Sequence, residues 1–179
     1  FLRGTALLMV LSFGSAQAAT IDGTLNFTGE AVPVFGPGLA DAVGLQFSNF
    51  FVVNASGDLA TAGIADGDTG TISDFFFADV PVAPFIQIDF NPGPGKFSFD
   101  LLAVEIVFQS DNFLTLSGSG ILSGTGFDDT AYNFSLSVDG EAPVFSSSGT
   151  LAPTTVIPIP GALVLFMSGL AALGIRRRD

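Results

Sequence analysis

Asp66-Gly67-Asp68-Thr69-Gly70 is the stretch whose residue types come nearest to ion chemistry. Carboxylates at alternate positions, with glycines to turn the chain, form part of an oxygen-ligand calcium loop. The full loop spacing and its closing Glu are missing, so a plain acidic loop is the simpler reading. Asp66 and Asp68 are the only metal candidates, and Ca2+ is the only cofactor they suggest. Asp128 and Asp129 are adjacent, and neighbours on an extended chain point to opposite faces, which makes a poor acid–base pair. Glycoside cleavage needs two carboxylates facing one bond, and the acids here offer many pairs without singling out one. The chain has no Cys and no His, which removes thiolate nucleophiles, cysteine metal sites and the commonest general base. It also lacks a G-x-S-x-G elbow, and without His no serine triad forms. These residues point away from an enzyme and name no catalytic residue.

Aromatic side chains are the other source of binding chemistry. Phe50-Phe51 and Phe75-Phe76-Phe77 are runs, but sugar platforms are usually Trp and Tyr. The chain has no Trp and only Tyr132, so core packing is expected for most of its 20 phenylalanines. Asn26, Asn54 and Asn133 fit N-x-S/T and read as coincidental, and they fall partly in expected strands. Charge is unevenly spread. Between Arg3 and Arg176, Lys96 is the only cation against sixteen acids, which leaves −15. Such a surface repels nucleic acid and anionic lipid and favours solubility outside the cell.

The elements that carry these residues read as strands. Ile21, Leu25 and Phe27 share one face, opposite Asp22, Thr24 and Asn26. Val43, Leu45 and Phe47 alternate with Gly44, Gln46 and Ser48, and Ile86, Ile88 and Phe90 with Gln87 and Asp89. Tyr132, Phe134, Leu136 and Val138 alternate with Asn133, Ser135, Ser137 and Asp139. From Phe97 to Phe108 the phase changes: apolar residues are odd through Leu101, then even at Leu102, Val104, Ile106 and Phe108. A one-residue slip would turn the whole set outward, so a bulge is expected near Leu101 and Leu102. Gly36-Pro37-Gly38, Ser56-Gly57-Asp58, Asn91 to Gly95 and Ser110-Asp111-Asn112 are breakers. Asp139-Gly140 fits a tight hairpin turn. No span within residues 19–154 keeps a helical period beyond a turn or two. The expected fold is all-β: a single β-sandwich over residues 19–154, jelly-roll-like or a related barrel.

Both ends read as targeting segments. Residues 1–18 place Arg3 before the apolar stretch Ala6 to Phe13, then Ala16-Gln17-Ala18. A cation, a short apolar core and small residues spaced A-x-A form a secretory signal, with cleavage expected after Ala18 or, alternatively, Ala19. Because the sequence opens on Phe1, earlier residues of the gene product are expected. Residues 155–179 hold Ile157-Pro158-Ile159-Pro160-Gly161, an apolar run from Gly161 to Ile175, then Arg176, Arg177 and Arg178. From Val156 to Ile175 there is no charge for 20 residues, about the length that crosses a bilayer core. A single transmembrane helix over 161–175 is expected. The arginines stay on the cytoplasmic side, so the β domain faces outward.

This order of proline motif, apolar helix and basic cluster resembles the PEP-CTERM class of sorting tails, and within it the VPLPA-CTERM variant. Ile157 stands for Val, Ile159 for Leu and Gly161 for Ala, and the likeness covers roughly the last 24 residues. The resemblance implies an exosortase as processing enzyme and the inner membrane of a Gram-negative bacterium as partner through the tail. It also implies association with exopolysaccharide and biofilm matrix. The reading is therefore a non-enzymatic, exported surface or matrix protein. A calcium-dependent carbohydrate-binding module and a secreted hydrolase are the alternatives.

Overall fold

A computed structural model describes residues 18–36, 38–89 and 96–154. Ala16, the signal segment before Ala18, the Asn91–Gly95 turn and the whole tail lie outside the described residues, including Ile157 to Gly161 and Arg176 to Arg178.

The described chain is mostly strand, as the alternation requires. In order it forms β1 (Ala19–Thr20), β2 (Leu25–Val34), β3 (Gly44–Ala55), a one-turn helix α1 (Gly57–Thr61), β4 (Gly70–Ile72) and β5 (Phe75–Phe76). Then follow β6 (Val82–Asp89), β7 (Lys96–Gln109), β8 (Phe113–Gly124), β9 (Phe127–Asp128), β10 (Thr130–Glu141) and β11 (Val144–Pro153). Nine strands make one antiparallel sheet in the order β4-β6-β7-β8-β10-β11-β2-β3-β5. β1 and β9 form a separate parallel pair. Most neighbours in the sheet are near neighbours in sequence, an up-and-down order that short hairpin connections favour. The exception is β11 beside β2, which brings the two ends of the domain together.

The sheet curls until its ends meet. Phe51 of β3 bridges Thr69, just before β4. The Val52 amide donates to the Asp68 carbonyl at 2.8 Å, and the Gly67 amide donates to Val52 at 2.9 Å. Curling a sheet this way removes edges that would otherwise lack hydrogen bonds.

Inside lies one core. Tyr132, Phe134, Leu136 and Val138 of β10 all point inward, with Phe27, Phe85, Phe97, Phe99 and Phe145 around them. Phe134 stands at its centre, against Phe27, Phe85 and Phe99 at centroid distances of 6.5, 5.3 and 6.2 Å. Gly120 lets β8 approach β7 closely, since a Cβ there would run into the Asp100 carbonyl and the Phe99 ring. One end of the curl is filled by Ile21, Leu59 of α1 and Ile64, the other by Leu39 and Ala42 of the β2–β3 connection. Gln109 secures that connection, donating to the carbonyls of Leu39 at 2.7 Å and Ala42 at 2.9 Å.

Several expectations need correction. The bulge near Leu101 and Leu102 is present, as a register shift between Leu101 and Ala103. Beyond it, however, Leu102, Ile106, Val107 and Phe108 are exposed rather than buried. The β6–β7 ladder ends at the Val82–Leu101 pair, so the rest of β7 has only β8 beside it. Val43 is also exposed, because it precedes β3 while Leu45 enters the core. Asp139-Gly140 is not the turn. β10 continues to Glu141, which pairs with Val144, so the chain reverses at Ala142-Pro143. Gly140 takes φ 135° within the ladder opposite Phe145, a conformation glycine adopts at little cost. Ser56-Gly57-Asp58 does break β3, and it opens the single turn α1.

Candidate functional site

The strand registers separate two rims. Ala18, α1, the Asp66–Thr69 loop, β9 and Thr154 share one rim, called here the junction rim, because the described chain begins and ends there. The opposite, far rim carries the β2–β3 connection, the β7–β8 turn and the β10–β11 turn.

At the junction rim, Asp22 and Asp58 are tied to each other's backbone. The Asp22 amide donates to the Asp58 carboxylate at 2.8 Å, and the Asp58 amide donates to the Asp22 carbonyl at 2.7 Å. Gly57, at φ 60°, allows this contact, since a Cβ would collide with the Asp22 carbonyl. Beneath them the fully buried Tyr132 hydroxyl lies 3.0 Å from the Gly23 carbonyl and 3.4 Å from that of Ile21. Burial, with Asp22 and Asp58 nearby, pushes its pKa up to about 12. This phenol is a structural strut that keeps its proton, not an acid–base group for neutral pH. Tyr132 was expected as a core residue, and its alternation with Asn133 was the signal.

The metal candidates Asp66 and Asp68 lie in one tight turn, in which the Asp68 amide donates to the Ala65 carbonyl at 3.2 Å. Asp68 accepts the Ala65 amide at 2.9 Å and so closes its own turn, while Asp66 is exposed. No group of three His, Cys, Asp or Glu side chains suited to a metal ion occurs among the described residues. Asp129 accepts the Ser123 hydroxyl at 2.6 Å, and Asp128 sits in β9, where its backbone carbonyl accepts the Thr130 hydroxyl at 2.9 Å. Asp41, Asp111 and Glu141 border a groove of about 430 Å³ on the far rim. Around it the far rim exposes Phe35, Val43, Phe76, Phe108, Phe113 and Val144.

The outer wall of the sheet holds what sequence reasoning missed. Residues on β10, β11 and β2 that alternate with the core are short hydroxyl and amide side chains. They line an open groove of about 500 Å³ with Val53 at its side. In the sequence these positions read only as the polar half of each alternation. Their alignment across strands depends on register, which no single strand reveals.

No known family matches this chain. The same comparison finds no matching curated protein and no matching solved structure. No helix among the described residues is long and apolar enough to cross a membrane. Assignment of function therefore rests on the chain's own residues.

Proposed function

We propose that the chain is a non-enzymatic, exported surface or matrix protein of a Gram-negative bacterium. In this reading residues 1–18 direct export and the 161–175 span holds the chain in the inner membrane. Ile157 to Gly161 present it to an exosortase, which releases it to the cell surface or the exopolysaccharide matrix. One observation carries the proposal: the order of Ile157-Pro158-Ile159-Pro160-Gly161, an uncharged apolar run and Arg176-Arg177-Arg178. Prolines disfavour helix and favour extended backbone, which in this reading would leave the segment before the span open to a membrane-embedded enzyme. The arginines stop translocation, because moving each through hydrocarbon costs about 2.5–3.5 kcal/mol even on lenient insertion scales.

The fold is compatible with this role. Thr154 leaves from the same rim at which Ala18 joins, its amide held by the Ala131 carbonyl at 3.0 Å. The six residues 155–160, fully extended, reach about 20 Å, enough to hold the sheet clear of the headgroups. The up-and-down order and the meeting of β3 with Thr69 favour the barrel form of the expected architecture over the sandwich.

Replacing Pro158 and Pro160 by Ala should leave export intact and block processing, leaving a larger, membrane-held form. Replacing Arg176, Arg177 and Arg178 by Ser should instead loosen retention. Fractionation and blotting beside wild type decide the matter. A proline variant processed and distributed like wild type would reduce the tail to an ordinary anchor.

A further inference from the structure

Two adjacent rows of side chains cross the outer wall of the sheet in register. In the first, Ser117 of β8 faces Ser135 of β10, then Thr150 of β11, Asn26 of β2 and Asn54 of β3. In the second, Thr115 faces Ser137, then Ser148, Thr28 and Phe51. Nine of these ten positions are polar and uncharged, in a region of the chain that carries sixteen acids. Charge returns in the next row toward the far rim, at Asp139 and Glu30. Strands lie about 4.8 Å apart and alternate residues about 6.7 Å apart, so the hydroxyls form a regular grid.

The groove of about 500 Å³ runs over this grid. Thr150 donates to the Asn26 side-chain oxygen at 2.8 Å, and Thr28 donates to the Ser147 carbonyl at 2.9 Å. The hydroxyls of Ser135, Ser137 and Ser148 make no hydrogen bond to another side chain or to backbone among the described residues, and the Asn26 amide nitrogen is equally free. Short side chains on a rigid sheet lose little conformational entropy when a ligand fixes them. Register shifts between β2 and β3 turn Phe51 and Val53 outward together, each close to half exposed; Val53 lines the side of the groove, and Phe51 lies beyond its rim, opposite Thr28. The result is a floor of hydroxyl donors and acceptors with an apolar wall.

We propose that this groove binds a neutral polyhydroxylated polymer, an uncharged glycan chain lying across β10, β11 and β2. A pyranose offers hydroxyls at its edge and C–H groups on its face, which suit the floor and the Val53 wall respectively. A polyanion would meet Asp139 and Glu30 at the groove's border, and a cationic partner would find no carboxylate on its floor. The site needs no metal. It deepens the matrix-protein reading but stands on separate residues, so the two can fail independently.

The test uses the purified full chain in detergent, with dextran in affinity electrophoresis and acid-swollen cellulose in co-sedimentation. Alginate serves as the charged control. Wild type should be retained by at least one neutral probe and not by alginate. Ser137→Glu and Ser148→Glu should each weaken retention about tenfold, since each places a carboxylate that a neutral ligand must desolvate. Gln87→Glu, an exposed position on β6 away from the groove, should change nothing. If a Glu variant fails to fold, Val53→Ala replaces it and must also weaken retention. Absence of binding to both neutral probes overturns the proposal, as does equal retention by alginate or an equal loss in Gln87→Glu. Normal tail processing beside absent glycan binding would sink this site and leave the sorting role standing.

Discussion

Tyr132 shows how one side chain connects alternation to stability. It is the only tyrosine, it is fully buried, and its hydroxyl bonds backbone that leads from β1 into β2. Its folded-state pKa is raised from 10.0 to about 12, first by burial, then by Asp22 and Asp58. The folded chain therefore keeps a proton that the unfolded chain releases. That contribution is intact below pH 10 and is lost as pH rises through about 12, roughly 3 kcal/mol in all. Tyr132→Phe should cost about 1–2 kcal/mol at pH 7, because the Gly23 carbonyl loses its buried donor. It should also flatten the fall in stability between pH 10 and 12. With no cysteine and no second tyrosine in the sequence, Tyr132 is the only phenol or thiol that titrates in that alkaline range. Urea unfolding of both proteins across the range checks the idea. Parallel curves would mean that the phenol is hydrated and titrates normally.

β7 contains two environments in one strand, and it marks the limit of what the sequence makes legible. Phe97, Phe99 and Leu101 are buried, whereas Ile106, Val107 and Phe108 are about half exposed. Leu101→Ala should therefore cost about 2–5 kcal/mol, the range for a filled core position. Phe108→Ala should cost less than about 1 kcal/mol, because its side chain is more than half exposed and its ring meets Phe113 at 5.9 Å on the surface. Equilibrium unfolding of both variants reads the contrast. Equal costs would mean that the outer half of β7 is covered in the folded protein. The phase change at Leu101 was readable because a bulge leaves a local signature. The exposure beyond it was not, since the pattern is the same whether or not β6 lies alongside. The turn at Ala142-Pro143 was missed for a related reason: Gly140 signals an unusual backbone angle, which here falls within a ladder. The hydroxyl grid was the least legible feature, being assembled from strands up to 124 positions apart, as at Asn26 and Thr150.

At the scale of the whole molecule, the sheet must close around its core while carrying a large excess of negative charge. Sixteen acids and Lys96 lie between Arg3 and Arg176, and the far-rim groove alone gathers Asp41, Asp111 and Glu141. Such a charge opposes compactness through self-repulsion, and burial of the aromatic core offsets it. All core positions named above fall between Ile21 and Leu151, so a fragment spanning 19–154 should fold without either flanking segment. Its urea midpoint should rise between 0.01 M and 1 M NaCl, as the Debye length falls from about 30 Å to about 3 Å. The gain should be of order 1 kcal/mol, because the charges are exposed and individually weak. A flat or falling midpoint would mean that the acids are already compensated in the fold. Divalent ions extend the test. If repulsion alone is relieved, Ca2+ and Mg2+ at equal concentration should stabilise equally. A calcium response well above that of magnesium would instead require a chelating site, for which Asp66 and Asp68 were the sequence's candidates. Asp68 already closes its own turn through the Ala65 amide, so an equal response to the two ions is expected.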